Sequence, residues 1–218
     1  MTIDVERVAA QPPPQAGEFP VIVGWTQAAM AVQAVLSLST PVHLKMSIES
    51  HGPLLIDFRH HAFSWSTSLD DFPVDAVHTG LQTVPTSAGD PPFFELPGQD
   101  LDGLLWVMGL NAFDGRAAFW LSADDRYRLT RWPNLTRHSH NLSHVRMIAV
   151  LGNAYASVAE LAAYADVEVS EAQRMINALS LMRILTASAA APAATMAPEA
   201  AEAKRDGLFA RLRKRLGR

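Results

Sequence analysis

Residues 157–185 read SVAELAAYADVEVSEAQRMINALSLMRIL, and the spacing within this stretch decides how the second half of the chain folds. Ser157 is followed three residues later by Glu160, and Ser170 three residues later by Gln173. In such a capping box the hydroxyl accepts from a free N–H of the first helical turn while the Glu or Gln reaches back to the cap. Behind each box runs a helical stripe. Val158, Leu161, Ala162 and Ala165 mark the first helix, and Ala172, Met175, Ile176 and Leu179 mark the second, at i, i+3, i+4 and i+7. Only Asp166-Val167-Glu168-Val169 separates them, which suits a helix-turn-helix.

Working outward, NLSHVRMIAVLGNA supplies a preceding helix from Asn141, capped by Asn141 or Ser139. From Asn141 to Leu185 the chain resembles the winged-helix/helix-turn-helix superfamily of bacterial regulators. Small Ala162, the turn residue Val167, Leu179 and Ile184-Leu185 stand where that family places core residues. Two positions depart from it: Asp166 and Arg183 stand where the family usually has Gly. The resemblance implies a helical recognition fold. The winged form also calls for a β-hairpin after the last helix, but Thr186 leads straight into an Ala/Pro-rich stretch, so the wing is expected to be missing or very short.

The 218 residues are long enough for one or two cores, and 49% apolar with 18% charged residues is a globular composition. With no cysteine, disulfides, thiolate metal sites and a cysteine nucleophile are excluded. MTIDVERVAAQPPPQ lacks the apolar core of a secretory signal. Val21 to Leu38 carries too many polar residues for a segment that must supply roughly 20 apolar ones to span a bilayer. Charge is unevenly placed. Residues 204–218 hold seven Lys/Arg and one Asp, a net of +6, which leaves eleven bases and twenty-one acids, a net of −10, for residues 1–203.

The pattern predicts an α+β protein in five parts: a disordered leader at 1–19, a mixed α/β-meander domain at 20–132, a winged-helix-like domain at 133–186, an Ala/Pro linker at 187–203 and a basic tail at 204–218. A helix is expected from Thr26 to Leu38, with Thr26 as cap. Strands are expected at Val42–Ile48, Leu54–Phe58 and Ala62–Ser66, from alternation of apolar and polar residues. Residues 66–98 read as loops with one short element near Val74–Leu81. Asp100 or Asp102 opens a further helix, and Phe119–Leu121 is expected to pair with Tyr127–Trp132 in a hairpin. The five tryptophans, Trp25, Trp65, Trp106, Trp120 and Trp132, read as core or domain-interface residues.

Several constellations bear on chemistry. His138, His140 and His144 are weak metal candidates: no Asp or Glu lies near them in sequence, and a complete site needs further ligands. His60-His61 is weaker, since strand neighbours face opposite ways. No G-x-S-x-G, P-loop or G-x-G-x-x-G is present, and Asp70-Asp71 and Asp124-Asp125 sit in turn contexts. Arg126, Arg128, Arg131 and Arg137 are anion-binding candidates, with Arg146 nearby, although an edge strand kept soluble by its arginines reads as well. The second helix offers Gln173, Arg174, Asn177 and Arg183 to a nucleic acid, but Glu168 and Glu171 stand at its N-terminal end, where a carboxylate opposes a polyanion.

In the tail, Leu208, Phe209, Leu212 and Leu216 form an apolar stripe beside Arg211, Arg213, Lys214 and Arg215. That pattern suits an anionic membrane surface, an acidic groove on another protein or the protein's own acidic body. The reading is a non-catalytic bacterial regulatory or adaptor protein without cofactor or metal. It is expected in the cytoplasm and at the inner membrane surface. Glu168, Glu171, Gln173, Arg174 and Asn177 form its protein-interaction surface, and the tail is a tether. A DNA-binding transcriptional regulator is the alternative, and a pocket gathering the histidines with Asp residues would instead indicate an enzyme.

Overall fold

The computed structural model describes residues 21–38, 42–75, 78–87, 89–137 and 139–189. The expected leader at 1–19, the expected linker beyond Ala189 and the basic tail lie outside the described residues. The architecture is mixed α+β. A six-stranded antiparallel sheet runs in the order β1-β5-β2-β3-β4-β6. Its strands are β1 (Val21–Val23), β2 (Val42–Ile48), β3 (Gly52–Asp57), β4 (Ala62–Ser64), β5 (His78–Pro85) and β6 (Gln99–Asp100). The helices are α1 (Gly24–Leu36), α2 (Leu101–Asn111), α3 (Leu142–Asn153), α4 (Val158–Ala165) and α5 (Val169–Leu181). A two-stranded ribbon joins β7 (Asp125–Leu129) to β8 (Leu185–Ala189).

The alternation in β2 works as expected. Leu44 and Met46 are buried while Ser47 faces out. Register places Leu44 opposite Ile56, and Ile56 opposite Phe63, so one apolar row crosses three strands. Such same-face neighbours are what stabilise a sheet. The expectation for 66–98 needs correction: β5 is an eight-residue strand between β1 and β2. Gly80, Gln82 and Thr83 give it little apolar signature; hydrogen bonding to neighbours on both sides holds it. Helix α1 also differs. It begins at Gly24, whose φ of +74° suits only glycine well. Thr26 is not its cap; its hydroxyl donates to the Ala112 carbonyl and ties α1 to the end of α2.

In the second half, Asn141 caps α3 and Ser157 caps α4, each with both hydrogen bonds of a capping box. The box expected at Ser170 does not form. Helix α5 starts two residues earlier, with Glu168 at the cap and no side-chain bond there. Asp166 and Arg183, the two departures from glycine, have φ of 58° and 57°. Asp enters this left-handed region more readily than most residues. Arg183 is held there as its guanidinium donates to the Leu36 carbonyl.

The expected hairpin of Phe119–Leu121 with Tyr127–Trp132 is replaced by a longer-range pairing. Residues 119–121 form a turn, because Trp120 sits edge-on to Phe113 and donates Nε1–H to Ser180 Oγ at 2.7 Å. Strand β7 pairs instead with β8, Leu129 opposite Leu185, and bridges to Ala156 on its other side. A strand therefore follows α5 in residues expected to begin the linker, and β7 keeps the other edge of this two-stranded ribbon, bridged there to Ala156 at Tyr127 alone. The five tryptophans divide: Trp25, Trp65 and Trp106 are buried, Trp120 is half-buried, and Trp132 is 56% exposed over Gly152.

One continuous core of buried apolar side chains runs from Trp25 to Ile184, so the two expected domains are not separate bodies. Helix α2 joins them. It is buried on most of its circumference, as expected for a helix with neighbours on several sides. It meets α5 so closely that a Cβ on Gly109 would lie 2.4 Å from the Ala178 Cα. Among the described residues no helix is long and apolar enough to cross a membrane.

Gly109→Ala should therefore lose stability although alanine is the better helix former. Overpacking a well-packed contact costs about 1–3 kcal/mol, which exceeds the ~1 kcal/mol propensity gain. Gly89→Ala, where nothing lies within 4 Å of the added Cβ, should stay within about 0.5 kcal/mol of the parent. Urea unfolding of both variants checks the pair.

Candidate interaction surface

Two charge clusters come first, because they decide which ionisable groups remain available to a ligand. Asp57 ends β3 and is fully buried. Its Oδ1 accepts from the backbone N–H of Arg59 at 3.0 Å and of His60 at 3.4 Å, shaping the turn to β4. Its Oδ2 accepts from His60 Nδ1 at 3.0 Å and Arg59 Nη2 at 3.3 Å, and lies 3.0 Å from His43 Nε2. Burial alone pushes this carboxyl pKa up. Hydrogen bonds from Arg59 and His60, with the charge of His43, outweigh burial and hold it far below the usual carboxylate range. Arg59 extends the cluster by donating to the carbonyls of Ser87, Asp90 and Pro91, while His43 stacks on Phe93 at 4.6 Å. With its oxygens fully engaged, Asp57 is a structural hub.

The second cluster lies at the N-terminus of α2. Asp102 accepts from His61 Nε2 at 2.8 Å on one oxygen and from Arg131 Nη2 at 3.0 Å on the other. The His61 bond and the Arg131 bond outweigh burial and bring the Asp102 pKa down to about 2. The same bond raises that of His61, against a smaller opposing effect of burial. His61, Asp100 and Asp102 offer ligand atoms within 4.8 Å of one another. A divalent cation there would need neutral His61 and would have to share Asp102 with Arg131. The groups instead form an ion-pair latch joining the β3–β4 turn to α2 and to the segment after β7.

Among the described residues, the sequence-predicted metal candidates His140 and His144 are not brought into such a group. His144 Nδ1 accepts from the Asn141 N–H in the α3 capping box, and its ring meets Trp106 edge-on at 5.4 Å. Burial, with the nearby His140, lowers its pKa. His138 lies outside the described residues. Three grooves are lined respectively by residues around Glu49 and Phe72, around Met30 and Phe113, and around Asp70 and Gln99. None of them includes His140, His144 or His61.

Two of the four proposed anion-binding arginines, Arg126 and Arg131, are held in ion pairs within the fold. Arg126 pairs with Glu160 at 2.8 Å, Arg131 with Asp102, and Arg128 lies 6.0 Å from the Tyr155 ring centroid. Arg137 ends a short 3-10 turn after β7, and its side chain lies outside the description. The predicted interaction residues on α5 split in two. Asn177 is fully buried: its amide accepts from the Ala118 N–H and donates to the Arg116 carbonyl, which removes it from any docking face. Gln173 donates to Asn177, and Arg174 donates to Asp114 and the Leu110 carbonyl. Arg174 is therefore held toward the end of α2, and Gln173 toward Asn177 on its own helix. Glu168 is exposed and Glu171 half-buried.

What remains outward around the α4–α5 turn is Tyr164 at 70% exposure, Val169 at 55%, and the carboxylates of Asp166, Glu168 and Glu171. No Lys or Arg occurs between residues 158 and 173. Tyr164 was missed in sequence, although the stripe Leu161, Ala162, Ala165 already turns that position outward. The hub of His43 and Asp57 carried no sequence signal, because its members are fourteen residues apart and meet only through β2–β3 register. Scans against family models, curated proteins and solved structures each found no match for this chain.

Both clusters predict pH effects. Stability from the carboxylates is fully present above their unfolded pKa of roughly 4 and is lost as pH falls through the folded values, for Asp102 about 2. For His61 the sign reverses. Its folded pKa is raised, so its contribution is complete below the unfolded value of roughly 6.5 and lost as pH rises above it. His144, with a lowered pKa, acts on the acid side of that value. His61→Asn, which tolerates the left-handed backbone at this position (φ 49°), should abolish the decline in Tm above about pH 6.5. Asp57→Ala should cost about 3–5 kcal/mol by removing the buried acceptor shared by His43, Arg59 and His60, as read by urea unfolding.

Proposed function

We propose that this is a non-catalytic regulatory or adaptor protein that binds another protein through the α4–α5 turn. The observation that carries the reading is the composition of that surface: two exposed apolar side chains, Tyr164 and Val169, among Asp166, Glu168 and Glu171 without a cation from 158 to 173. A DNA-reading face needs Arg and Lys for phosphates and base edges. Here Arg174 is turned to Asp114, and Arg126 to Glu160. An aromatic anchor rimmed by charge is instead the composition of a protein-binding patch. The partner surface that fits is apolar at its centre and basic at its edge.

The tail adds a tether in this reading. Its net charge of +6 beside Leu208, Phe209, Leu212 and Leu216 suits an anionic membrane surface, where each Lys or Arg contributes on the order of 1 kcal/mol. Two recognition elements of opposite charge then sit on one chain. The acidic turn takes the protein partner, and the basic tail takes the surface.

A photo-crosslinking amino acid at Tyr164, in the cells that make the protein, should capture one discrete partner. Glu168→Lys/Glu171→Lys should abolish that adduct. In parallel, the full chain should bind duplex DNA no more tightly than the roughly 10⁻⁴–10⁻⁶ M of non-specific association at physiological salt. Tighter binding to a defined DNA sequence, weakened by Gln173→Ala, would replace the adaptor with a transcriptional regulator.

A further inference from the structure

The acidic side of the molecule contains a groove that neither charge cluster uses. Glu49, Ser50 and His51 from the β2–β3 turn line one wall, and Phe72, Pro73, Val74 and Asp75 line the other, enclosing about 460 Å3. That lies within the ~300–1,000 Å3 of ligand-accepting pockets. Its floor is rigid. Phe72 is buried 4.3 Å from the Trp25 ring, Trp65 meets Phe72 edge-on at 6.1 Å, and Trp25 Nε1 donates to the Pro73 carbonyl at 2.6 Å. Val74 is 52% exposed on the wall.

The rim is acidic. Glu49 and Asp75 line the groove, and exposed Asp70 and Asp71 stand in the 3-10 turn immediately before Phe72. No Lys or Arg occurs from residue 60 to 115, nor from 46 to 58. His51 is the one lining residue able to carry positive charge. An apolar floor under a carboxylate rim selects a segment with bulky apolar side chains alternating with cations.

The chain carries such a segment. We infer that residues 204–218 dock in cis on the groove between the β2–β3 turn and Phe72–Asp75, with Leu and Phe side chains on the floor and Arg and Lys on the rim. We further infer that an anionic membrane competes with the groove for the same residues. The first half stands on charge and shape alone, and the second rests on the tether reading above. Reach favours the chain's own tail over any outside peptide. Fifteen steps separate Ala189, where β8 ends, from Lys204, so the link extends up to ~50 Å. A compact body of this size has a radius of gyration of roughly 15 Å, and tethering of this kind supplies an effective concentration on the order of millimolar.

The chain has three lysines, Lys45, Lys204 and Lys214, which makes carbodiimide coupling of amines to touching carboxylates a clean test on the full chain. At low salt, Lys204 or Lys214 should couple within one molecule to Glu49, Asp70, Asp71 or Asp75. The products should vanish at about 1 M salt, where the Debye length falls to ~3 Å. The variant Glu49→Gln/Asp71→Asn/Asp75→Asn changes only exposed side chains and should keep the parent's urea midpoint. It should lose the coupling and bind vesicles of phosphatidylcholine and phosphatidylserine in roughly equal parts on the order of ten-fold more tightly, the gain expected when a tail free about a tenth of the time becomes fully free. Coupling confined to other acids, or only between molecules, overturns the docking. Coupling as expected with equal vesicle affinity for parent and variant overturns the competition. Coupling as expected with no vesicle binding by either protein supports the docking and removes the tether.

Discussion

The contact between α2 and α5 at Gly109 and Ala178 is the constraint on which the rest depends. Backbones that approach this closely leave no room for a side chain on α2, so the crossing point is set by sterics rather than by adjustable packing. Once it is set, Asn177 falls opposite the 116–118 segment and satisfies one N–H and one carbonyl there. Trp120 falls within reach of Ser180. A sheet-bearing half and a helical half thereby become one core. The cost of that union is exposure: α5 has its polar middle, Asn177, turned inward.

Charge follows the same logic. The body is acidic overall, yet its deepest carboxylates hold the basic groups. Asp57 gathers His43, Arg59 and His60, and Asp102 gathers His61 and Arg131. Breaking a buried pair is costly, because the survivor is a desolvated charge. The arginines engaged in this way do not form a basic face. What reaches solvent around the α4–α5 turn and around Phe72 is therefore acidic and apolar. That pairing suits basic, apolar-stippled partners, whether on another protein or on the chain's own tail.

Local rules were legible where they act over short distances. The cap at Asn141 and the capping box at Ser157 rest on partners three residues away. The alternation of β2 is set by pleat geometry. Asp166 and Arg183 take the left-handed conformation at the two places where a glycine was expected. Ser170 misled, because Glu168 opens α5 two residues earlier. Trp132 misled as well, since apolar character alone does not tell a core ring from one lying over a surface glycine.

By itself, the sequence determined the helices of the second half, the meander of β2, β3 and β4, the absence of thiol chemistry and the opposed charges of body and tail. These follow from spacing and composition, which no packing can change. Tertiary structure alone decided that β5 is a central strand, that β7 pairs with β8 across the helices, that Asn177 is buried, and that His43, Asp57 and Arg59 meet. Each is a pairing between residues distant in the chain. Its free energy comes from backbone hydrogen bonds and desolvation that exist only after the halves close around α2.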